Sequence, residues 1–259
     1  MAEPISTQHL PGDGKTWTIA SLAARPARLS EVLVSVLVDR IVSGEYPSGH
    51  LLPPEPTLCQ SFDVSRSVVR EAVKVLEEKG LARARQGHGT TITSSDEWNL
   101  LDPVVLDAAI RHDDTMQVLD DVVEVRAALE CDMVRAAAQR MTSADLEELG
   151  RLLRELESEI TTPERYYETD TRYHDFILRC SGNRLGRSII RSIHPYARAS
   201  SRYSPPAEEE DLRQSQQGHA AIYQHLARRD GEGAAAAMEE HITGSWTVRK
   251  QRRNRQTDQ

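Results

Sequence analysis

From Leu29 to Gly44, apolar residues recur three and four positions apart. Val32, Leu33, Val36, Leu37 and Ile41, with Arg40, mark one face of a helix that Gly44 stops. A turn at Pro47-Ser48-Gly49 leads into Leu51-Leu52-Pro53-Pro54-Glu55, where Pro54 suits the start of a short helix carrying Leu58 and Phe62. Asp63-Val64-Ser65 reads as a compact turn, and Ser65 as the cap of a third helix from Arg66 to about Lys79, closed by Gly80. The period then changes. Leu81 to Arg85 reads as a strand, Gln86-Gly87-His88-Gly89 as a hairpin tip, and Thr90 to Thr93 as the returning strand.

Beyond Ser94 the pattern changes again. Trp98-Asn99-Leu100-Leu101-Asp102-Pro103 reads as a linker, and only helical periods follow to about Arg249. These predict helices over Met116 to Arg140, over Ser143 to Ile160 with Ser143 as cap, from Pro163 through Tyr166 to Cys180, and from Asn183 to about Tyr203. Pro205-Pro206 interrupts the chain before two last helices, Glu208 to Arg229 and Glu232 to Arg249, separated by Asp230-Gly231. The expected fold is mainly α, with a small head and a larger helical domain. Its expected parts are a flexible N-terminal extension (1–28), a head (29–94), a linker (95–106), a helical domain (107–248) and a basic tail (249–259). The tail reads as a frayed, solvated end.

Composition narrows the class. With 39% hydrophobic and 28% charged residues in a chain of 259, two modest soluble domains are expected. No apolar run approaches the ~20 residues that a membrane span needs, and no basic-then-apolar leader pattern opens the chain. Cys59, Cys131 and Cys180 are odd in number, far apart and not in CxxC pairs, so they read as small buried hydrophobes in a reducing cytoplasm. The net charge of −8 argues against non-specific nucleic-acid binding, but a site-specific binder needs only a positive docking face.

Such a face is legible in the head. Three helices followed by a two-stranded wing form a DNA-docking arrangement. Arg66 and Arg70 share one face at the start of the third helix, the end that a recognition helix presents to base edges. Arginine can hold guanine O6 and N7 bidentately. Ser65, Ser67 and the helix-start amides can reach phosphate oxygens. Gly87 and Gly89 let a wing tip approach the duplex. Val69, Ala72, Val73 and Leu76 make the opposite, core-facing stripe.

This segment resembles the GntR family of bacterial regulators. The matching stretches are Ile41-Val42-Ser43-Gly44-Glu45, Leu52-Pro53-Pro54-Glu55, Phe62-Asp63-Val64-Ser65-Arg66, Val69-Arg70-Glu71-Ala72, Leu76-Glu77-Glu78-Lys79-Gly80-Leu81 and Arg85-Gln86-Gly87-His88-Gly89-Thr90. The resemblance implies a winged helix-turn-helix whose DNA contacts fall on Ser65, Arg66, Arg70, Gln86 and Gly87. The family often carries a further arginine just after the glutamate of the second helix and a serine cap before it; here Pro56 and Pro54 stand in those places.

In the helical half, Asp170 and His174 are four apart, a two-ligand platform on one helix face. His219 and His241 lie on the last two predicted helices and can turn inward. One carboxylate and three imidazoles suit Zn, Ni or Mn, and ligand type does not choose among them. Arg126 stands in an apolar stretch, as either a carboxylate anchor or a salt-bridge partner of Glu130. Ser215, one turn before His219, is expected to face the same cavity. The stretches Val123-Glu124-Val125-Arg126 with Leu129-Glu130, Asp170-xxx-His174 with Asn183, Gly218-His219 with Ile222, and Met238-Glu239-Glu240-His241 resemble the FCD domain of the FadR subgroup.

That resemblance implies an antiparallel all-α bundle holding a divalent metal on Asp170, His174, His219 and His241, with an effector on Arg126. The acyl-CoA-binding branch lacks this set, which argues against a fatty-acyl ligand. Trp98-Asn99-Leu100-Leu101-Asp102-Pro103 is similar to galactonate-regulator-like members that sense sugar acids. The expected protein is a homodimeric, cytoplasmic, non-enzymatic regulator, a repressor of a catabolic operon. It would bind double-stranded operator DNA and respond to a small carboxylate, with no membrane partner. Two rivals are a metal-dependent enzyme acting on a small hydroxy acid and an architectural DNA-binding protein with a structural metal.

Overall fold

The computed structural model describes residues 25–199 and 208–257, with side chains over 29–198 and 208–251. The expectation of a flexible extension at the N-terminus falls mostly outside them, as does Pro205-Pro206. Two compact units divide between Glu97 and Trp98.

The first unit holds helices α1 (Arg25–Val42), α2 (Glu55–Phe62) and α3 (Arg66–Glu78), then strands β1 (Ala82–Arg85) and β2 (Gly89–Ile92). The strands pair antiparallel from Ala82↔Ile92 to Arg85↔Gly89, and Leu51 adds a bridge to Thr91. Helix α1 packs on α3, and their buried faces join Leu52, Leu58, Leu81 and Ile92 in one core. The buried row of α1 is Leu33, Val34, Leu37, Val38 and Ile41, whereas Val32 is 61% exposed. The stripe read from the sequence was thus out of phase by part of a turn. Apolar residues cover more than half of this helix, so spacing alone does not choose the stripe; contact with α3 does.

Pro54 is the N-cap residue of α2 rather than its first helical residue, and its carbonyl accepts from Thr57 N at 2.9 Å and Leu58 N at 3.1 Å. Pro56 occupies the first turn, where a missing N–H leaves no bond unmade. Asp63, at φ 51°, ends α2, and Ser65 Oγ accepts from Val68 N at 3.4 Å to open α3. The wing turns on Gly87 at φ 77° and Gly89 at φ 86°, conformations that strain residues with a Cβ.

The second unit is a bundle of α4 (Pro103–His112), α5 (Gln117–Arg140), α6 (Ser143–Ser158), α7 (Pro163–Cys180), α8 (Arg184–Ala199), α9 (Glu209–Ala227) and α10 (Gly231–Thr257). Helix α4 starts inside the stretch read as linker, because Asp102 caps it by accepting from Val104 N and Val105 N. Thr142, not Ser143, caps α6: its extended backbone lets it form a reciprocal capping box with Asp145. Helix α10 continues to Thr257, so the described part of the tail is helical where a frayed end was expected; Lys250 Nζ reaches both oxygens of Asp120 at 2.8 Å, and Trp246 Nε1 donates to the same carboxylate. The three cysteines are half-buried free thiols, less enclosed than expected.

Helix α5 is the central rod. It packs against α7, α8, α9 and α10, which explains why it buries Leu119, Val123, Met133, Val134 and Ala137 together with the charged Arg126 and Glu130. Helices α7, α9 and α10 thereby each pack against α5.

Leu76 is fully buried in the small core of the head. Leu76→Ala is expected to destabilise that unit by about 2–5 kcal/mol, measured by urea unfolding; a loss under about 1 kcal/mol would contradict the packing described.

Candidate DNA-reading helix and metal centre

On the head, Ser65, Arg66, Ser67, Arg70, Gln86 and Gly87 are all exposed. The first four stand at the start of α3, and the last two at the wing tip. Ser65 and Ser67 are joined through their hydroxyls at 2.8 Å. The guanidinium-bearing side chains of Arg66 and Arg70 are 72% and 71% exposed. Both turn toward Glu55 at the start of α2: Arg70 Nε donates to Oε2 at 2.8 Å, and Arg66 Nε lies 3.9 Å from Oε1. The sequence reading did not single out Glu55. It lies 15 residues from Arg70, and no helical spacing joins the two.

In the helical unit, Asp170, His174, His219 and His241 offer ligand atoms that all lie within 4.8 Å of one another, and all four residues are buried. Asp170 and His174 come from one face of α7, His219 from α9 and His241 from α10. His174 Nε2 is 3.2 Å from His241 Nε2, and Asp170 Oδ1 is 3.1 Å from His219 Nε2. The ring centroids of His219 and His241 are 4.3 Å apart.

The outer atoms of these groups are also engaged. Glu130 on α5 is fully buried; burial alone would raise its carboxyl, but the charges of Arg126 and His174, with their hydrogen bonds, bring it down to about 2. An ionised carboxylate only accepts, so His174 Nδ1, 2.8 Å from Glu130 Oε2, carries the proton. With Nδ1 turned to Glu130, Nε2 is the His174 ring atom that faces the cluster. Burial drives the His219 imidazole below its ordinary value against the pull of Asp170. Burial, reinforced by His219 and His174, drives His241 well below. Neutral imidazole is the ligating form.

For Asp170, burial opposes ionisation, but the Arg198 guanidinium and the hydrogen bond with His219 overcome it and hold the carboxyl well below the usual range. Arg198 on α8 donates through Nη2 to Asp170 Oδ2 at 2.6 Å. Tyr166 Oη lies 3.3 Å from His219 Nδ1, and Tyr173 Oη donates to the His219 carbonyl at 2.9 Å. A carboxylate and three imidazoles converge through single atoms while carboxylate, guanidinium and phenol hold their far sides. This donor set fits a divalent cation. Tyr166, Tyr173 and Arg198 carried no sequence signal, since each reaches the cluster across helices.

Arg126 is buried, and its Nε donates to Glu130 Oε1 at 2.7 Å. The i, i+4 ion pair is therefore formed, and it links Arg126 to the cluster through Glu130. Ser215 is half-buried on α9 and interacts with the Tyr166 phenol, which itself lies against His219. A cavity of about 310 Å³ between α7 and α8 is lined by Thr171, Arg172, His174, Asp175, Arg191 and His194, among others; Arg126 and Ser215 are not part of its wall.

Comparison with known proteins bears on both units. Residues 29–92 match the bacterial regulatory proteins of the gntR family, and residues 121–244 match the FCD domain. The chain is 30% identical over 213 residues to the galactonate operon transcriptional repressor of Escherichia coli K12, spanning 82% of this chain and 93% of that one. It is 32% identical over 224 residues to the uncharacterized HTH-type transcriptional regulator YieP of the same organism, spanning 85% and 95%. Among solved structures, Lar, which controls expression of the Listeria monocytogenes agr system, aligns with a TM-score of 0.57 at 18% identity, covering 90% of this chain and 99% of that one; that likeness concerns fold alone. The chain belongs to the gntR family of bacterial regulatory proteins, in its FadR-like, FCD-bearing subgroup, and is a DNA-binding transcription regulator.

Proposed function

We propose that this regulator is a homodimeric, non-enzymatic repressor that reads operator DNA with Ser65, Arg66, Ser67, Arg70, Gln86 and Gly87. It senses a small carboxylate, of the sugar-acid kind, at a divalent metal on Asp170, His174, His219 and His241. The observation that carries the sensing half is the convergence of four buried ligand atoms within 4.8 Å. So dense a buried cluster of ionisable groups is costly unless something binds them together. The galactonate operon repressor among the relatives supports the sugar-acid assignment.

The residues divide the work. Glu130 fixes the His174 ring with its proton outward, and Tyr166 braces His219 from its other side. Arg198 keeps Asp170 ionised. A bound divalent cation would supply positions for a carboxylate or hydroxyl oxygen. Arg126 is the second anchor: Glu130 takes its Nε, and a guanidinium with five donors can serve a second carboxylate as well. Ser215 would reach the effector from beside Tyr166. Effector binding and DNA binding are then coupled reciprocally through differential affinity for two states. The metal-dependent enzyme weighed from the sequence finds no support among the relatives, which are named as regulators. Among the described residues, no helix is long and apolar enough to cross a membrane.

His174→Ala or His219→Ala is expected to abolish stoichiometric metal, read by elemental analysis of purified protein, and to remove the rise in melting temperature on adding Zn, Ni or Mn. Full retention of metal in both variants would count against the cluster as its site. Arg66→Ala is expected to weaken specific DNA binding by about 1–3 kcal/mol, measured by fluorescence anisotropy; an unchanged affinity refutes the reading surface. A thermal-shift screen of sugar acids on metal-loaded protein tests the effector class. Galactonate or a close relative should raise the melting point, and Arg126→Ala should erase that rise while leaving DNA affinity intact. No response to any sugar acid would overturn this assignment.

A further inference from the structure

Arg66 and Arg70 are exposed, long and flexible, yet neither stands alone. One carboxylate serves both, with Oε2 on Arg70 Nε at 2.8 Å and Oε1 toward Arg66 Nε at 3.9 Å. That carboxylate is less exposed, at 28%, than either guanidinium-bearing side chain, at 72% and 71%. Its backbone is held by Pro53, Pro54 and Pro56, each with a locked φ. It also sits in the first turn of α2, where the helix dipole favours negative charge. Glu55 is therefore the fixed member of the trio, and the arginines are the movable ones.

We propose that Glu55 is a positioning residue of the DNA-reading surface, presetting Arg66 and Arg70 before the duplex arrives and trading general phosphate attraction for operator selectivity. The physical argument has two parts. Arg70 is held at Nε and Arg66 is drawn toward the same carboxylate, which leaves the Nη pair as the edge that a guanine can engage, so fewer rotamers are lost on binding. A carboxylate beside two cations also lowers the local positive potential, which weakens attraction to any phosphate backbone irrespective of sequence. The inference rests on Arg66 and Arg70 as the readers of sequence.

The test uses the metal-loaded full chain. A duplex is selected from a random-sequence pool by the wild-type protein, and affinities for it and for a scrambled duplex are measured at one salt concentration for wild type, E55Q, E55A, R66A and R70A, each with its melting temperature. E55Q, which keeps the shape and removes the charge, should lower the ratio of selected to scrambled affinity by about tenfold or more, with scrambled binding unchanged or tighter. A smaller fall in that ratio overturns the proposal. So does a repeat selection in which E55Q prefers a new base at one position with undiminished selectivity, since Glu55 would then be a direct reader. If E55A does not fold, E55Q carries the test. Should R66A and R70A keep the wild-type ratio, the reading assignment itself fails; should they lose it while E55Q keeps it, only the role of Glu55 falls.

Discussion

Charge taken out of water must find its opposite close by, and the helical unit is arranged around that requirement. Arg126, Glu130, Asp170, His174, His219 and His241 are all buried at the middle of the bundle. Alone, each would be neutralised or expelled. Together they form two chains of contact, Arg126–Glu130–His174 and Arg198–Asp170–His219, which meet where the ligand atoms converge. The packing of α7, α8, α9 and α10 around α5 brings four different helices to that centre.

The head follows the opposite logic. Its chemistry lies outside, on a helix start and a wing tip, and its core serves to hold the two at fixed places. Ser65 caps α3 and faces solvent, so one residue both ends the turn and stands on the proposed reading surface. Gly87 and Gly89 allow the wing to turn back within four residues of strand on each side. Exposed ion pairs such as Arg70–Glu55 contribute little to stability. Their value lies in orientation, where a binding surface for a rigid duplex gains most from side chains already in place.

Much of this was legible in the chain itself. Period and punctuation located the elements of the head, including the cap at Ser65, and the i, i+4 pair Asp170 and His174 marked one wall of the cluster. Errors arose where two local solutions were nearly equal. Thr142 and Ser143 are both good caps, and only the box with Asp145 favours the first. Helix α1 is apolar on most sides, so its buried stripe was misplaced. Helix α4 was hidden because Asp102-Pro103 punctuates as well for a linker as for a helix start.

Local sequence determined the fold class, the order of elements, the shared face of the two arginines at the start of α3 and the residue types of the cluster, because periodicity, capping and ligand chemistry act over a few neighbouring residues. Tertiary structure alone decided which atoms meet. It joined Glu130 to His174 across 44 residues, brought Arg198 to Asp170 from 28 residues away, and set Glu55 between two arginines of another helix. Those choices depend on how helices pack and on mutual compensation of buried charge, and such forces act across space rather than along the chain.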